Sequence, residues 1–480
     1  MGLKEKLVRK GEHVWELPKG VEEGQRVPVV FYLSEDLFEL LEEDAIRQAL
    51  NASKLPGVVK AIYVMPDVHV GYGFPVGGVM ATDVGSGVIS PGSVGYDINC
   101  GVRLIATNLR SSDIVPKIRE LMNEILENVP AGVGSRGSIK LSRSAMEEVL
   151  VEGARWAVRQ GFGFEEDLRH IEGKGALPNA DPDKASKEAF ERGSDEIGTV
   201  GSGNHFVEIQ VVEEIYDEEL AERIGLWEGQ VMIMVHSGSR GFGHQVCTDY
   251  LKVAVKAQSK YKIKLPDPQL ACMPFSSKEG QSYFKAMNAA ANYAFANRQI
   301  LGFKTANTLR KFLGISWEEL GYRVIYDHAH NIAKVERHKV GNKVVEVVVH
   351  RKGATRAFPP YSPDVPEDYR DIGQPVIIPG DMGRASYLMV GQPPSMEESF
   401  GTACHGAGRL MSRRQAKRFV KERGLEKVIG GLTVVARGKG TIMEEIPQAY
   451  KDVSEVVRVI HELGIAKMVA KLRPLGTLKG

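Results

Sequence analysis

The sequence contains few cysteines and no long apolar run. Its 480 residues include four scattered cysteines, Cys100, Cys247, Cys272 and Cys404. So few cysteines in a long chain exclude a disulfide framework, and we expect reduced thiols. No apolar run approaches the roughly 18 residues that span a bilayer, and the first residues lack the apolar core of a signal peptide. We therefore expect a cytoplasmic protein without a membrane partner.

An excess of charge of one sign is also absent. The chain has 62 lysines and arginines against 61 acidic residues, a formal net charge of +1. No overall field therefore attracts a polyanion, so a polyanionic partner must be bound by a local basic patch. Neither the RRM nor the KH signature of RNA-binding domains is found.

Glycine is abundant, with 52 residues, and many of the glycines adjoin His, Asp or Asn. This pattern indicates close approach of the backbone to a ligand. Short apolar runs broken by glycine clusters over 58–108 predict strands joined by tight loops. The Gly341-Asn342 pair between β-branched runs predicts a hairpin.

Helices are predicted by spacing and composition. Apolar residues recur at helical spacing over 111–130 and 143–160, and 285–314 is alanine-rich. Segment 163–197 is charged and contains Pro, Asn and Asp, which predicts a surface excursion with one exposed helix. No internal repeat or low-complexity linker marks a domain boundary. These residues predict a mixed α+β protein and leave the domain count open.

Four polar clusters occur in glycine-rich or strand-end contexts, where loops usually carry chemistry. They are Asp97 with Cys100, Asn204 with His205, His236 after an apolar strand, and His330 with Asn331. Their carboxylate, thiolate and three imidazoles suit a borderline or transition divalent ion, and a thiolate can bridge two ions. A single histidine is as well explained by a structural hydrogen bond. The joint pattern is what indicates a metal site.

The other histidines fall into two groups. Those in charged or strand contexts are expected to be structural: His13, His170, His338, His350 and His461. Three stay unassigned: His69, His244 and His328.

The fifth cluster is HGAGR at 405–409, ahead of a predicted helix. A glycine-flanked loop opening a helix offers backbone N–H groups to a phosphate. His405 could attack phosphorus there and carry a nucleotidyl group as a phosphoramidate. Two alternatives stay open. One makes Cys404 the nucleophile, although adjacent residues on an extended chain face opposite sides; the other is a phosphate-binding loop without a covalent step.

The predicted helix after this loop is strongly basic. It carries one acid and six cations: Glu422, Arg413, Arg414, Lys417, Arg418, Lys421 and Arg423. Such a run is usually a solvated face. Beside a phosphate loop it also fits a nucleic-acid backbone, as do Arg240 and the loop 350–356.

Seven motifs follow one another in a characteristic order. They are MPDVHVGYGFPVGG, GYDINCGVR, GSGNHF, VHSGSRG, AHNIAK, PGDMG and TACHGAGR, followed by EEIPQAYKD and a final KG. From about residue 28 onward the chain resembles the RtcB family of GTP-dependent RNA ligases. The resemblance implies one α+β catalytic domain over 1–480, built on a large mixed sheet around a central metal- and nucleotide-binding cleft.

The resemblance also implies a reaction. Such ligases join an RNA 3′-phosphate, or a 2′,3′-cyclic phosphate after its opening, to an RNA 5′-hydroxyl, with GTP and manganese. By match, His405 would be guanylylated, the RNA 3′-phosphate would take the GMP to form RNA-(3′)pp(5′)G, and the 5′-hydroxyl would displace it. The implied partners are RNA, as tRNA exon halves in splicing or broken ends in repair, and an archease-type activator protein.

Matching motif by motif implies the site residues. One Mn²⁺ ion would be held by Asp97, Cys100 and His205, and a second by Cys100, His236 and His330. The implied GTP/GMP site consists of Asn204, His205, Phe206, Val207, Glu208, His330, Asn331, Pro379, Gly380, Asp381, Met382, Ser386, His405, Gly406, Ala407, Gly408, Tyr450 and Lys479. Glu208 is the expected guanine selector, since a carboxylate accepts the N1–H and 2-amino hydrogens that adenine does not offer. Candidates for RNA or phosphate contact are Asp67, which could instead support the metal site, and Arg240, Arg409 and Arg413.

Two other classes compete with this interpretation. A binuclear metallophosphoesterase acting on RNA ends would use the same donors to activate water, but it has no need for a histidine in a phosphate loop. A non-catalytic RNA-binding protein would use the metal structurally, so a chelator would unfold it.

Overall fold

Two large sheets, one of seven strands and one of eight, form the centre of the fold. The computed structural model describes residues 2–480. The strands are β1 (Val8–Arg9), β2 (Val14–Leu17), β3 (Val29–Tyr32), β4 (Ile62–His69), β5 (Val76–Asp83), β6 (Val88–Ile89), β7 (Gly101–Arg110), β8 (Phe206–Ile215), β9 (Gln230–Ser237), β10 (Met273–Pro274), β11 (Arg323–Ala329), β12 (Asn331–Val340), β13 (Lys343–Lys352), β14 (Ala354–Arg356), β15 (Pro375–Ile378), β16 (Ser386–Gly391), β17 (Thr402–Cys404), β18 (Val434–Val435) and β19 (Ala466–Lys479).

Helices cover both sheets. They are α1 (Glu35–Glu39), α2 (Glu43–Ala52), α3 (Ser111–Ile114), α4 (Ile118–Asn128), α5 (Arg143–Glu152), α6 (Ala154–Arg159), α7 (Lys187–Gly193), α8 (Glu218–Ile224), α9 (Arg240–Lys260), α10 (Lys278–Leu313), α11 (Trp317–Leu320), α12 (Pro394–Ser399), α13 (Arg413–Arg423), α14 (Leu425–Ile429), α15 (Lys439–Glu444) and α16 (Val453–Glu462). The predicted mixed α+β class is confirmed, as are the helices predicted over 111–130 and 143–160.

The seven-stranded sheet runs in the order β1-β2-β3-β4-β5-β13-β12. Its neighbours are antiparallel except for the parallel pair β3 and β4. The predicted hairpin is confirmed: Gly341 and Asn342 connect β12 to β13, and Val340 pairs with Lys343. Gly341 has φ 61°, which glycine adopts without strain.

The eight-stranded sheet runs in the order β11-β7-β9-β8-β19-β16-β15, and β18 pairs with β19. Its central strands are apolar on both faces because both faces are covered. On β9, Ile233 belongs to a core that includes Leu301 of α10. Its neighbour Met234 faces the opposite side, in a core with Leu472, as the two-residue alternation of a strand requires.

The long helix α10 packs against this sheet. Ser277 caps its start by accepting a hydrogen bond from the Gly280 amide at 3.0 Å, and Gly314 ends it with φ 67°. Alanine favours the helix and allows close packing, but the cap extends the helix beyond the alanine-rich stretch that predicted it. Within residues 2–480, no helix is long and apolar enough to cross a membrane.

Segment 163–197 is only partly on the surface. It includes α7, but Leu168, Ile171 and Phe190 are buried in a core shared with α10. Asn292 of α10 accepts a hydrogen bond from the Leu177 amide at 2.7 Å. The expectation of a surface excursion is wrong for these residues, because apolar side chains among the charged ones pack against α10.

Candidate active site

One end of the eight-stranded sheet collects four of the predicted metal ligands. Cys100 precedes β7, His205 precedes β8, His236 lies near the end of β9, and His330 follows β11. These strands are antiparallel neighbours, so the beginning of one meets the end of the next. The register shows this directly, since Gly101 pairs with both Ser237 and Ala329.

The side chains of these four residues and Asp97 form a continuous cluster. Sγ of Cys100 lies 3.3 Å from Nε2 of both His205 and His236. Nε2 of His205 lies 2.8 Å from Oδ2 of Asp97. Nε2 of His236 lies 3.4 Å from Nε2 of His330. The structure therefore brings all five predicted ligands together.

The chemistry of this donor set fits a divalent metal ion. Nδ1 of His205 lies 3.1 Å from the Val200 carbonyl, which leaves its Nε2 lone pair for a cation. Burial lowers the pKa of His236 and His330 and favours the neutral imidazoles that bind metals. Burial also raises the pKa of the Cys100 thiol. A bound cation would therefore be needed to keep Cys100 as a thiolate.

His405 follows β17 and lies against the cluster. Its ring centroid is 4.8 Å from that of His330. On its other side, Oδ2 of Asp67 accepts hydrogen bonds from the amides of His405, at 3.0 Å, and Gly406, at 3.1 Å. The same oxygen lies 2.6 Å from Nδ1 of His405. Because Asp67 holds Nδ1, Nε2 is the ring nitrogen free to react.

The surroundings of Asp67 favour its ionised form. Burial acts to raise the pKa of Asp67, but the charge of His405, its hydrogen bonds and the charge of Lys451 hold the pKa below its usual value. The Lys451 ammonium donates to the Val68 carbonyl, and burial lowers the pKa of Lys451 to about 8. Asp67 is 0% exposed. Its burial gives no support to the expectation that it contacts RNA, and its contacts support His405 instead.

Two glycines allow this close packing. Gly353 has φ 57°, and a Cβ there would lie 2.9 Å from Cε1 of His405. Gly408 has φ 78°, and its Cβ would lie 2.3 Å from the Asp67 carbonyl oxygen. A larger residue at either position would displace His405 or Asp67.

The loop that contains His405 does not open a helix. Ser412 forms a capping box at the start of α13, which begins at Arg413. The amides of His405 and Gly406 face Asp67. The prediction of a helix N-terminus at 405–409 is wrong, because the cap lies farther along the chain. Cys404 is fully buried and burial raises its pKa, so the alternative nucleophile finds no support.

A cavity of about 290 Å³ lies beside the cluster and His405. Most of the residues implied for nucleotide binding line it: Asn204, His330, Asn331, Pro379, Gly380, Asp381, Met382, His405, Gly406, Ala407, Gly408, Tyr450 and Lys479. Arg409 and Arg413 line it as well. Arg409 donates to both oxygens of the buried Glu445 at 3.0 Å.

Five residues implied for the nucleotide do not line the cavity: His205, Phe206, Val207, Glu208 and Ser386. Ser386 supports the cavity wall, since its hydroxyl accepts from the Gly380 amide at 3.1 Å. Glu208 accepts from Gln210 at 2.7 Å and from Thr477 at 3.2 Å. Burial raises the pKa of Glu208 to about 7.

Arg240 is buried rather than displayed. Its Nε donates to the Thr199 hydroxyl at 3.0 Å, and it does not line the cavity. The expectation that Arg240 contacts RNA therefore has no support in its position. Nor is 350–356 a free loop, because it consists of the end of β13 and all of β14.

Comparison with known proteins decides the family. A family model described as tRNA-splicing ligase RtcB matches residues 48–480. A protein named tRNA-splicing ligase RtcB from Archaeoglobus fulgidus is 53% identical over 473 residues, covering 98% of each chain. Proteins of the same name from Thermococcus kodakarensis and Methanococcus maripaludis are 51% and 49% identical, covering 97% and 100% of each chain. The chain belongs to the RtcB family.

Several cavity residues of this RtcB-family protein were not predicted from the sequence. They are His69, Val76, Gly95, Tyr96 and Glu445, whereas Lys352 and Gly353 belong to 350–356, which the sequence had indicated only as a segment that fits a nucleic-acid backbone. Lys352 donates to the carbonyls of Tyr72 at 2.8 Å and Gly92 at 3.0 Å, and burial lowers its pKa to about 8. The basic run HRKG was visible in the sequence, but its burial was not.

The five histidines expected to be structural all have protein partners. They contact Glu462 (His13), Asp368 (His170), Glu336 (His338), the Ser90 amide (His350) and the Met468 amide (His461). Among the unassigned three, His328 is structural, since it accepts from the Ile377 amide at 2.8 Å. His69 lines the cavity, and the ring of His244 lies 6.2 Å from that of Tyr96.

Proposed function

We propose that this protein is an RNA ligase that joins an RNA 3′-phosphate or 2′,3′-cyclic phosphate to an RNA 5′-hydroxyl, with GTP as co-substrate and Mn²⁺ as cofactor. Its relatives carry the name tRNA-splicing ligase. The observation that carries the proposal is the place of His405 between the donor cluster and Asp67. A carboxylate that orients a reactive imidazole is a recurrent arrangement in covalent catalysis.

In the first step, Nε2 of His405 attacks the α-phosphorus of GTP. The P–N bond forms as the bond to pyrophosphate breaks. Asp67 keeps the proton on Nδ1 and offsets the positive charge that the ring acquires. The nucleophile is therefore oriented before GTP binds.

Two further displacements complete the reaction. An oxygen of the RNA 3′-phosphate attacks the phosphorus of guanylylated His405, which releases the histidine and forms RNA-(3′)pp(5′)G. The RNA 5′-hydroxyl then attacks the 3′-phosphorus and GMP leaves with the bonding electrons. A cyclic phosphate must first be opened by water. Lys479 and Arg413, which line the cavity, place positive charge near these phosphates.

We assign two Mn²⁺ ions to the donor cluster. We assign one to Asp97, Cys100 and His205 and the other to Cys100, His236 and His330. When bound, the ions would stabilise the negative charge of the reacting phosphates. The protein orients the imidazoles and shields them from water. The Cys100 thiol must lose its proton on binding, so metal affinity should rise with pH.

The remaining parts of the proposal follow from family membership. The chain would act as one catalytic domain, since both sheets contribute to the site. The loop Pro379–Met382, Tyr450 and Lys479 would hold the guanosine nucleotide. Glu208 does not line the cavity and would support its wall through Gln210, which reaches Ser386. The cellular role would be tRNA splicing or RNA repair in the cytoplasm, with an archease-type activator.

Incubation with GTP labelled on the α-phosphate and Mn²⁺, without RNA, tests the central step. The wild-type chain should retain an acid-labile label on a denaturing gel, and His405→Ala should retain none. His461→Ala serves as the matched control, because His461 contacts only the Met468 amide far from the cavity, and it should be labelled like wild type. Absence of label on manganese-loaded wild type would contradict the covalent step and favour a metal-dependent phosphoesterase.

A further inference from the structure

Two tyrosines in mutual contact, one of which lines the cavity, have no part in the steps above. Tyr96 lines the cavity. The Tyr72 ring lies 5.5 Å from the Tyr96 ring, at an interplanar angle of 74°, and Tyr72 is 37% exposed. An aromatic ring that is exposed to water lacks the stabilisation that burial would provide. An exposed aromatic side chain beside a catalytic cavity indicates a ligand-binding site.

The loop that carries Tyr72 is held firmly by its backbone. Gln48 exchanges two hydrogen bonds with the first residue of loop 71–73. Gln269 accepts one from the last residue at 2.9 Å. Lys352 donates to the Tyr72 carbonyl at 2.8 Å. The exposed ring is thus presented on a fixed support.

The same lysine links the loop of Tyr72 to the segment that precedes Tyr96. Lys352 also donates to the Gly92 carbonyl at 3.0 Å, in the segment that leads to Tyr96. Tyr96 directly precedes Asp97 of the donor cluster. Tyr96 therefore lies next to the proposed metal site, and the Tyr72 ring contacts it.

We propose that Tyr72 and Tyr96 form a stacking site for the unpaired nucleobase closest to the reacting RNA end, an inference that rests on the proposed ligase function. Unpaired bases of single-stranded RNA stack on aromatic side chains. Every base can stack on an aromatic ring. A ligase that joins RNA ends of varied sequence needs a site with this tolerance. The T-shaped pair offers one ring face and one ring edge, which together accommodate a single flat base.

The charges around the pair suit the phosphates on either side of such a base. The Lys352 ammonium donates to the Tyr72 carbonyl and lines the cavity together with Tyr96. Local positive charge therefore accompanies the aromatic surface.

RNA carrying 2-aminopurine as its terminal base tests this site, since stacking on an aromatic ring quenches its fluorescence. One strand carries the label beside a 3′-phosphate and another beside a 5′-hydroxyl, and each is titrated with manganese-loaded protein. Tyr72→Ala should weaken binding about 5- to 100-fold and abolish the quenching, whereas Tyr72→Phe should preserve both. Tyr72→Leu, which keeps apolar volume without an aromatic face, should behave like Tyr72→Ala. The end whose label is quenched identifies which terminus occupies the site.

The matched control is Tyr361→Ala, since Tyr361 is 76% exposed elsewhere on the surface. This variant should bind RNA like wild type. Wild-type affinity and quenching in Tyr72→Ala would overturn the stacking site. So would Tyr72→Phe behaving like Tyr72→Ala, because the hydroxyl would then be the contact. Labelling by GTP is measured separately without RNA. Its absence from the wild type contradicts the ligase, whereas normal labelling without quenching overturns only the stacking site.

Discussion

Asp67 contacts His405 in three ways, through two backbone amides and the ring Nδ1. The motifs around both residues are visible in the sequence, but the partnership is not, because 338 residues separate them. It depends on how β4 packs against the loop after β17, which local patterns do not encode. The same holds for Lys451, whose partner is the Val68 carbonyl.

Asp67→Asn should slow labelling of His405 by GTP at least about a hundredfold. An amide cannot accept from two N–H groups and also stabilise a cationic imidazole, so the ring loses both its orientation and its charge partner. The rate of label incorporation, measured by quenched flow, checks this. Asp83→Asn is the matched control, because Asp83 also accepts from two amides at a strand end but lies at an exposed turn. Equal rates in the two variants would contradict the positioning role.

Glu208 predicts a pH dependence of stability. Burial raises the pKa of Glu208 from 4.5 to about 7. Between these values the folded protein holds a proton that the unfolded chain has released, so stability falls as pH rises from about 4.5 to 7 and is constant above. Glu208→Gln removes this contribution, which is at most about 3 kcal/mol.

Urea unfolding at about pH 5 and about pH 8 measures this effect. The unfolding free energy of wild type should fall more between these conditions than that of Glu208→Gln. Glu213→Gln, a more exposed substitution on β8, controls for the loss of one carboxylate and should follow wild type. If Glu208→Gln and wild type show the same pH dependence, Glu208 is ionised throughout.

Helix α13 uses its cations in two ways. Nζ of Lys417 lies 2.5 Å from Oε1 of Glu444 on α15, and Nε of Arg413 lies 3.8 Å from Oε2 of the same residue. Arg414 and Lys421 are exposed and have no carboxylate within 4.0 Å among residues 2–480. The basic run is therefore divided between internal ion pairs and cations available to a polyanion.

Replacing both Arg414 and Lys421 by alanine should lower the affinity for RNA and make this affinity less dependent on salt concentration. Each lost phosphate contact lowers the slope of log K against log salt by about 0.7 for single strands. Fluorescence titration of RNA at several salt concentrations measures the slope. The control replaces Lys252 and Lys256, exposed cations on α9. Equal slopes for both double variants would exclude α13 from the RNA path.

Local patterns predicted elements better than their ends and their packing. The Gly341-Asn342 turn and the alanine-rich core of α10 were readable because both signals are local. The start of α13 was readable too, since Ser412 and Gln415 form a capping box, but the glycine-rich loop suggested an earlier start. The strand order of the sheets was not predictable, because long-range pairing decides it.

At the scale of the whole molecule, a buried ion network ties the eight-stranded sheet to α10. Asp327 on β11 binds Arg103 of β7 at 2.8 Å and Arg298 of α10 at 2.9 Å, and all three are 0% exposed. Arg298 also donates to the carbonyls of Asn99, at 2.7 Å, and Ser237, at 2.9 Å. Asn99 precedes Cys100, and Ser237 follows His236. Arg298 therefore supports both the buried core and the donor cluster.

Asp327→Asn should lower the unfolding free energy by about 3–5 kcal/mol, because two buried guanidinium groups lose their counter-charge. It should also lower the bound manganese, because Arg298 would no longer hold the ligand loops. Urea unfolding and metal analysis check the two effects. Asp371→Asn is the control, since its pair with Arg223 is exposed and should contribute little to stability. Similar losses in both variants would contradict the argument.

Strand β19 lies inside the eight-stranded sheet, between β8 and β16, and its Lys479 donates to the Gly203 carbonyl at 3.1 Å. A ribosome makes β8 and β16 long before it makes β19. Until residue 479 has been synthesised, both strands keep an unpaired edge and the cavity lacks one wall. The nascent chain is therefore inactive and prone to edge-to-edge aggregation, and we expect it to depend on a chaperone until β19 has been synthesised.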